Sequence, residues 1–148
     1  MASTFEKLNL KDQKQILVID APESFEPELA ALRGVKVLRK VADADPIEFA
    51  LAFVTKQRAV DAAAKLIVKK ANGDAIVWFA YPKGSSKKYK SEINRDSGWQ
   101  ILGDSGFEPV RMVAIDEDWS ALRFRRLEFI KTMKRAKEHQ PTRRAKKR

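Results

Sequence analysis

The chain has 148 residues, of which 44% are hydrophobic, so it is long enough for one domain with a substantial core and too short for two of ordinary size. No apolar run approaches the roughly 18 residues of a membrane span, and the N-terminal residues contain no hydrophobic signal segment. The lack of cysteine excludes disulfides, thiol nucleophiles and cysteine metal sites. We therefore expect a cytoplasmic protein with no membrane partner.

The net charge of +10 is concentrated at the C-terminus. From Lys131 to Arg148, nine basic residues and one acidic residue supply +8 of it. We expect a single domain over residues 1–129 and a basic tail over residues 130–148, helical at first and disordered from His139 onward. The domain itself is then almost neutral, so the overall pI says little about what it binds.

The first half of the chain alternates predicted strands and helices. Leu8 and Leu10 are expected in an arm packed on the edge of the sheet. The predicted strands are Ile16–Ile19, Val35–Leu38 and Ile47–Val54; the predicted helices run from Pro27 to Arg33 and, with Thr55 as N-cap, to about Ala71. The connection Val41–Pro46 is too short for another crossover helix.

The most apolar stretch is Ala75–Tyr81, seven residues that precede Pro82. A strand without polar alternation is buried on both faces, which places it in the middle of the sheet. Its C-terminal end leads into the lysine loop, Lys83–Lys90. Ligands of open parallel sheets bind outside the carboxyl ends of the strands, so this edge is where we expect a site.

A helix capped by Asp96 and a hairpin complete the predicted domain. The strands Val110–Ile115 and Ala121–Arg126 are antiparallel because their connection is too short for a crossover. Arginines alternate with apolar residues in Ala121–Arg126, which predicts an edge strand and favours a monomer or weak dimer. The order of elements predicts an α/β, Rossmann-like, doubly wound and mostly parallel sheet with a C-terminal antiparallel β hairpin.

Parts of this sequence resemble two known groups of proteins. The run FALAFVTKQRAVDAAAKLIVKKANGDAIVWFAYPKG, residues 49–84, resembles the second half of class I methyltransferases. The phrases APESF, YPKGSSK and AIDEDWSALRFRR, which begin at Ala21, Tyr81 and Ala114, resemble a family of short uncharacterised bacterial proteins, a domain of unknown function. The second resemblance covers residues 10–126 and implies a reduced methyltransferase-like core that lacks one strand and helix near Val41–Pro46. It implies no established activity.

The sequence departs from the methyltransferase pattern where S-adenosylmethionine (SAM) would bind. That cofactor needs a glycine-rich turn after the first strand, because the backbone approaches the ligand closely there. Asp20, Pro22 and Ser24 stand where the glycines are expected, and Arg39 follows the second strand where an acid would take the ribose hydroxyls. We therefore expect no cofactor and no catalytic residue.

The candidate ligand-binding residues follow the strands at this edge. They are Asp20, Glu23, Lys83, Ser85, Ser86, Lys87, Asp116 and Trp119. Ammonium, hydroxyl and backbone N–H groups in the lysine loop can bind an anionic small molecule, although a loop of this composition also serves simply as a solvated connection. Trp119 can stack on a ligand or cover the core.

The sequence gives weaker support for catalytic and metal-binding sites. The carboxylates at the edge, Asp20, Glu23 and Asp116–Asp118, can act in acid–base catalysis or hold Mg²⁺, but such residues more often shape turns. His139 is the single histidine and lies in the predicted tail, so we reject both a Ser-His-Asp arrangement and a zinc site and expect no metal.

Three functions remain open. The first is a non-catalytic binding or regulatory module for an anionic ligand or partner, and the second is a divergent SAM-dependent methyltransferase. The third is non-specific nucleic-acid binding through the basic tail, whose candidate residues are Arg143, Arg144, Lys146, Lys147 and Arg148.

Overall fold

A computed structural model describes residues 4–44 and 46–133. Two 3-10 turns, Glu23–Phe25 and Val41–Asp43, accompany the helices and strands. In chain order these are α1 (Thr4–Lys7), β1 (Gln15–Ile19), α2 (Glu26–Ala30), β2 (Lys36–Leu38), β3 (Ile47–Phe53), α3 (Gln57–Lys70), β4 (Ala71–Pro82), α4 (Gln100–Asp104), β5 (Phe107–Ala114), β6 (Trp119–Arg126) and α5 (Leu127–Met133).

The six strands form one sheet in the order β2-β1-β3-β4-β6-β5. The first four strands in this order are parallel, and β6 pairs antiparallel with both β4 and β5. The predicted α/β, Rossmann-like sheet with its C-terminal hairpin is therefore confirmed. Strand β4 lies in the middle of the sheet, and its residues from Ala75 to Pro82 are all buried, as the unbroken apolar run predicts.

Alternate residues of the strands pack into two layers. On one side, which we call the α3 face, Val77 and Phe79 pack in a cluster with Ala64 of α3. On the other side, the α1 face, Trp78 and Ala80 pack in a cluster with Leu8. Helices therefore cover both faces of the sheet, which explains why β4 shows no polar alternation.

The connection from β2 to β3 contains only the 3-10 turn Val41–Asp43. Strand β1 pairs on one side with β2 and on the other with β3, so this connection crosses one strand without a helix. The absence of a crossover helix between Val41 and Pro46 agrees with the sequence prediction.

Two predictions about the sheet margins are wrong. Strand β6, which contains Arg123 and Arg125, is an interior strand, and the edge is β5. The alternation of arginines reflects one partly buried side of the sheet at this position rather than an unpaired margin. Leu8 is fully buried, and its carbonyl accepts a hydrogen bond from Nε1 of Trp78 at 2.8 Å, so the N-terminal arm lies on the middle of the α1 face and not on the edge.

The described chain ends in α5, which crosses the predicted domain boundary at residue 129. Ile130 of this helix is buried. The remaining residues of the predicted basic tail, among them Arg143, Arg144, Lys146, Lys147 and Arg148, lie outside the described part. Among the described helices, none is long and apolar enough to cross a lipid bilayer.

Candidate functional site

Three strands end side by side at the carboxyl edge of the sheet. Ile19 of β1 pairs with β3, and Phe53 of β3 pairs with β4, so the residues that follow them share one edge. Because β6 runs antiparallel to β4, its first residue, Trp119, pairs with Pro82 at the end of β4. The topology thus brings the turn after β1, the lysine loop and the turn of the β5–β6 hairpin to the same edge, as the sequence predicts.

The turn after β1 begins with a residue in the left-handed region of backbone conformation. Asp20 has a φ of 52°, which is uncommon for a residue other than glycine, although aspartate tolerates it better than most. Pro22 then accepts a hydrogen bond from the Phe25 N–H at 2.9 Å, which closes the 3-10 turn. The side chains of Asp20 and Glu23 are exposed at this turn.

The lysine loop is fixed to the hairpin turn through Asp118. The Lys83 N–H donates to the Asp118 carbonyl at 2.8 Å, and the Ser86 hydroxyl donates to the Asp118 carboxylate at 2.8 Å. The same hydroxyl accepts hydrogen bonds from the N–H groups of Lys88 and Tyr89. Ser86 therefore organises the loop, whereas Ser85 and Lys87 are exposed and Lys83 is half-buried.

The hairpin turn has its own internal support. One oxygen of the Asp116 carboxylate accepts the N–H groups of Asp118 and Trp119 at 2.8 and 2.9 Å. This is a local turn in which an aspartate side chain satisfies the backbone two and three residues further on. Asp116 consequently shapes the turn to which the lysine loop is attached.

The chain beyond the lysine loop continues across the end of β3. Glu92 donates its N–H to the Thr55 carbonyl at 2.9 Å, and its carboxylate accepts the N–H of Gln57, the first residue of α3, at 2.9 Å. The prediction that Thr55 caps α3 is therefore wrong: Lys56 occupies the N-cap position without a side-chain bond, and a residue 35 positions away supplies the acceptor.

The predicted cap of α4 is also wrong. Trp99 occupies the N-cap position, while Asp96 is exposed and forms an ion pair with Arg95 at 3.4 Å. The reason is that Asn94 forms a turn just before the helix, in which its side-chain oxygen accepts the N–H groups of Asp96 and Ser97. Asp96 therefore lies three residues before the N-cap position, which Trp99 occupies.

A row of aromatic rings lies under the edge on the α1 face. Phe25 packs on Phe53 at 5.0 Å between ring centroids, Phe53 packs on Trp119 at 5.1 Å, and Trp119 packs on Tyr89 at 4.9 Å. Sequence reasoning missed Phe53 and Tyr89. The available signal was that Tyr89 is the one aromatic residue in a loop of lysines and serines.

Trp119, within this row, has an unsatisfied donor. Trp119 is only 3% exposed, so it covers the core, and its ring packs against Phe53 and Tyr89. Its indole Nε1 is buried and, among the described residues, has no hydrogen-bond partner. Buried polar groups are nearly always paired, so this N–H calls for an acceptor such as a ligand oxygen or a water molecule.

An ion pair occupies the end of β2. The Arg39 guanidinium donates two hydrogen bonds of 2.9 Å to the two carboxylate oxygens of Glu26. The hydrogen bond from Arg39 lowers the pKa of Glu26, and the same bond raises the pKa of Arg39. Both side chains are well exposed, so the pair adds little to stability but fixes Arg39 against α2.

Two cavities lie away from this edge. One of about 780 Å³ opens on the α3 face beside Trp99, Phe107 and Phe124. The other, of about 530 Å³, lies near the amino ends of the strands between Gln15 and Asn72. Neither is lined by a predicted site residue. In the described part of the chain, no group of three or more His, Cys, Asp or Glu residues is placed to hold a metal ion.

Solved structures share this fold. A SAM dependent methyltransferase from Aquifex aeolicus matches 82% of this chain and 86% of its own, with 15% identity and a TM-score of 0.51. N-methyltransferase NodS from Bradyrhizobium japonicum WM9 matches 84% and 81%, with 15% identity and a TM-score of 0.51. Magnesium protoporphyrin IX methyltransferase from Synechocystis PCC 6803 matches 83% and 74%, with 12% identity and a TM-score of 0.51.

No model of a known protein family matches the chain, and no curated protein does either. The resemblance to a family of short bacterial proteins therefore stays a prediction. At identities this low, the structural matches show the fold alone. The chain has a methyltransferase-like Rossmann fold.

The residues at the edge do not fit SAM in the way that the methyltransferase resemblance implies. Asp20 and Pro22 stand where glycines would let the backbone approach the cofactor, and the 3-10 turn Glu23–Phe25 follows them directly. At the end of β2, Arg39 replaces the expected acid and is held by Glu26. Within residues 4–44, neither feature through which SAM would be recognised is present.

Proposed function

We propose that the protein is a non-catalytic binding module that holds an anionic ligand at the carboxyl edge of a methyltransferase-like fold. The observation that carries this proposal is the buried, unpaired indole N–H of Trp119, which lies beneath a loop of lysines. An anion supplies the acceptor that this donor lacks and is attracted by the ammonium groups above it.

The proposed roles of the other residues follow from their contacts. Lys83 and Lys87 lie on the loop that Asp118 fixes, so their ammonium groups are carried on a restrained backbone rather than a free one. The exposed hydroxyl of Ser85 supplies a further donor. Ser86 and Asp116 act by positioning the loop and the hairpin turn.

Asp20 and Glu23 belong to the other end of the proposed site. Both carboxylates are exposed at the turn after β1 and repel an anion, so the anionic group of the ligand lies toward the lysine loop. The two acids then accept hydrogen bonds from hydroxyl or amino groups elsewhere on the ligand. The ligand class that suits this edge is a small molecule with an anionic end and a hydrogen-bond-donating end.

The likeness to methyltransferases supports a second candidate function, a divergent SAM-dependent methyltransferase. This candidate requires a cofactor site built without the glycine turn and without the acid after β2. It therefore makes a direct prediction that the binding module does not make: SAM or its demethylated product binds the folded protein.

Thermal unfolding of the full-length protein separates the two. The ligands are SAM, S-adenosylhomocysteine and carboxylate anions such as citrate, each compared with chloride at equal ionic strength. A ligand at about 100 times its dissociation constant stabilises the folded state by about 2.7 kcal/mol. We expect stabilisation by one of the anions, lost in a Lys83→Ala, Lys87→Ala double variant and kept in a Lys65→Ala control on the exposed side of α3.

Stabilisation by SAM or S-adenosylhomocysteine would replace this proposal with the methyltransferase candidate. An anion effect that survives loss of both lysines would show that the site lies elsewhere. If no compound stabilises the protein, the anion-binding proposal fails. The indole N–H resonance of Trp119, assigned by its absence from the Trp119→Phe variant, provides a second readout because it is the one expected to shift on binding.

The charge of the tail supports a third candidate, non-specific nucleic-acid binding. Replacing Arg143, Arg144, Lys146, Lys147 and Arg148 with glutamine removes five positive charges without shortening the chain. If the tail binds phosphodiesters, the affinity for a single-stranded oligonucleotide falls and its dependence on salt concentration becomes less steep. An unchanged affinity would exclude these five residues from such binding.

A further inference from the structure

Two arginines face each other on the hairpin, well away from the carboxyl edge. Arg111 of β5 is directly opposite Arg123 of β6, and Trp78 of β4 is next in the same row across the sheet. Directly opposite residues point to the same face, and the neighbouring pair Val113 and Ala121 packs in the cluster of the α1 face. Arg123 is four residues from Trp119, roughly 13 Å along the strand.

Among the described residues, neither guanidinium forms an ion pair. The Asp74 carboxylate, which attracts Arg123 electrostatically, is bound by Arg125 through hydrogen bonds of 2.8 and 2.6 Å. Among the described residues, no hydrogen bond or ion pair is formed by Arg111 or Arg123, and the Nε of Arg123 is buried without a partner. The pair therefore combines two unneutralised charges with an unsatisfied buried donor.

This arrangement is unfavourable by itself. Like charges directly opposite each other in a sheet destabilise it, and a buried donor without a partner adds a desolvation cost. Burial, together with Arg125 and Arg111, lowers the pKa of Arg123. A guanidinium nevertheless remains protonated at neutral pH, so the repulsion is not relieved by loss of a proton.

We propose that Arg111 and Arg123 form a second anion site that binds a dianionic phosphate group, either inorganic phosphate or a phosphate monoester. A phosphate monoester carries about −1.5 to −2 charges at pH 7 and so neutralises both guanidinium groups, whereas one carboxylate or one phosphodiester neutralises only half of their charge. Guanidinium groups also match phosphate geometry with pairs of parallel hydrogen bonds.

The test is NMR of the arginine Nε–H groups in the full-length protein. Inorganic phosphate and glycerol phosphate are titrated at constant ionic strength, with chloride as the reference anion. We expect the Arg123 Nε–H resonance to shift saturably with both phosphates and not with chloride. Arg123→Gln and Arg111→Gln each weaken binding at least tenfold, and Arg58→Gln, on an exposed position of α3, leaves it unchanged.

The following results would contradict the proposal. A shift that does not saturate, or that chloride reproduces, would show only general screening. Binding that tolerates Arg111→Gln would exclude the pair as the site; because Arg111 is exposed, this variant serves even if Arg123→Gln does not fold. Binding of a single-stranded oligonucleotide without binding of either small phosphate would replace the dianion with a phosphodiester chain.

The inference is independent of the function proposed for the carboxyl edge. Substitution of Lys83 and Lys87 should leave the Arg123 response unchanged. Substitution of Arg111 should likewise leave unchanged the stabilisation by ligands that bind at the carboxyl edge. The proposal for either site can therefore be wrong while the other is correct.

Discussion

The Ser86 hydroxyl donates a 2.8 Å hydrogen bond to the Asp118 carboxylate, across 32 residues of sequence. Asp118 also accepts the Lys83 N–H through its carbonyl, so one residue of the hairpin turn holds the lysine loop at two atoms. The loop that carries the proposed anion-binding groups therefore depends on the β5–β6 hairpin for its position.

Replacing Ser86 with alanine should loosen this loop. The substitution removes one donor to Asp118 and the acceptor for the Lys88 and Tyr89 N–H groups. We expect the free energy of unfolding to fall by about 1 kcal/mol, since the hydroxyl is only partly buried. Amide hydrogen exchange at Lys88 and Tyr89 should become faster.

Ser85→Ala is the matched control, because Ser85 is exposed and neighbours Ser86 in sequence. It should change neither quantity. Equal exchange rates in the two variants would mean that the hydrogen bond to Asp118 does not restrain the loop.

The sequence alone predicts those parts of this arrangement that follow from the run of apolar residues and from the length of the hairpin connection. The apolar run ending at Tyr81 placed β4 mid-sheet, and the short connection after Asp116 required a hairpin, so the meeting of the lysine loop and the hairpin turn followed from topology. The bond between Ser86 and Asp118 did not follow. Serine and aspartate are common in loops, and no periodicity marks a contact between residues so far apart.

Replacing Glu92 with alanine should destabilise the start of α3. The carboxylate accepts the Gln57 N–H, one of the helix donors that has no partner within the helix, and it adds negative charge near the helix N-terminus. We expect a loss of about 1 kcal/mol in urea unfolding, as for other capping residues. Glu117→Ala, at an exposed position of the hairpin turn, is the control and should cost much less.

The contacts of Thr55 and Glu92 explain why the sequence prediction of the N-cap of α3 is wrong. Thr55 has the right chemistry for a cap and stands just before an amphipathic run, so local rules select it. Its carbonyl instead accepts the Glu92 N–H, and the helix begins two residues later. A cap supplied from a distant loop leaves no local sequence signal. A urea midpoint for Glu92→Ala equal to that of Glu117→Ala would contradict this account.

The alternation of apolar residues and arginines in β6 is compatible with both an edge strand and an interior strand. Leu122 and Phe124 pack in the core of the α3 face while Arg123 and Arg125 lie on the other side. A period of two reports which face of a strand is buried, but not whether the strand has one neighbour or two. The edge prediction is wrong for that reason, and the pairing of Arg111 with Arg123 is visible only from the register.

The Glu26 carboxylate should titrate below its ordinary range. The hydrogen bond from Arg39 lowers its pKa in the folded protein from 4.5, so the pair stabilises the fold above that pH. The contribution is lost as the pH falls from about 4.5 through the lower folded value. NMR titration of the side-chain carboxyl measures this pKa, and Arg39→Gln should return it to the ordinary range. An unchanged value in Arg39→Gln would contradict the assignment to this bond.

Trp78 and Trp119 provide a matched pair for testing the unpaired indole. Both are buried, but Nε1 of Trp78 donates to the Leu8 carbonyl at 2.8 Å, whereas Nε1 of Trp119 has no partner among the described residues. Substitution by phenylalanine removes the same atoms from each. We expect Trp78→Phe to cost about 1 kcal/mol more in urea unfolding, because it alone loses a hydrogen bond and leaves the Leu8 carbonyl unpaired. Equal costs would indicate that Trp119 is already paired with water.

Gly98 should tolerate alanine less well than Gly34, although both have a positive φ, of 105° and 72°. A Cβ at Gly98 would overlap the buried side chain of Ile93, while a Cβ at Gly34 meets nothing within 4 Å. Gly98 also accepts a 2.9 Å hydrogen bond from the Gln57 side chain, so a shift there disturbs the start of α3. We expect Gly34→Ala to cost about 1 kcal/mol for the left-handed backbone alone, and Gly98→Ala roughly 2 kcal/mol more in chemical denaturation. Similar costs for the two variants would show that the segment around Ile93 moves to accept the added methyl group, and that the chain between the lysine loop and α4 is less tightly packed than its contacts imply.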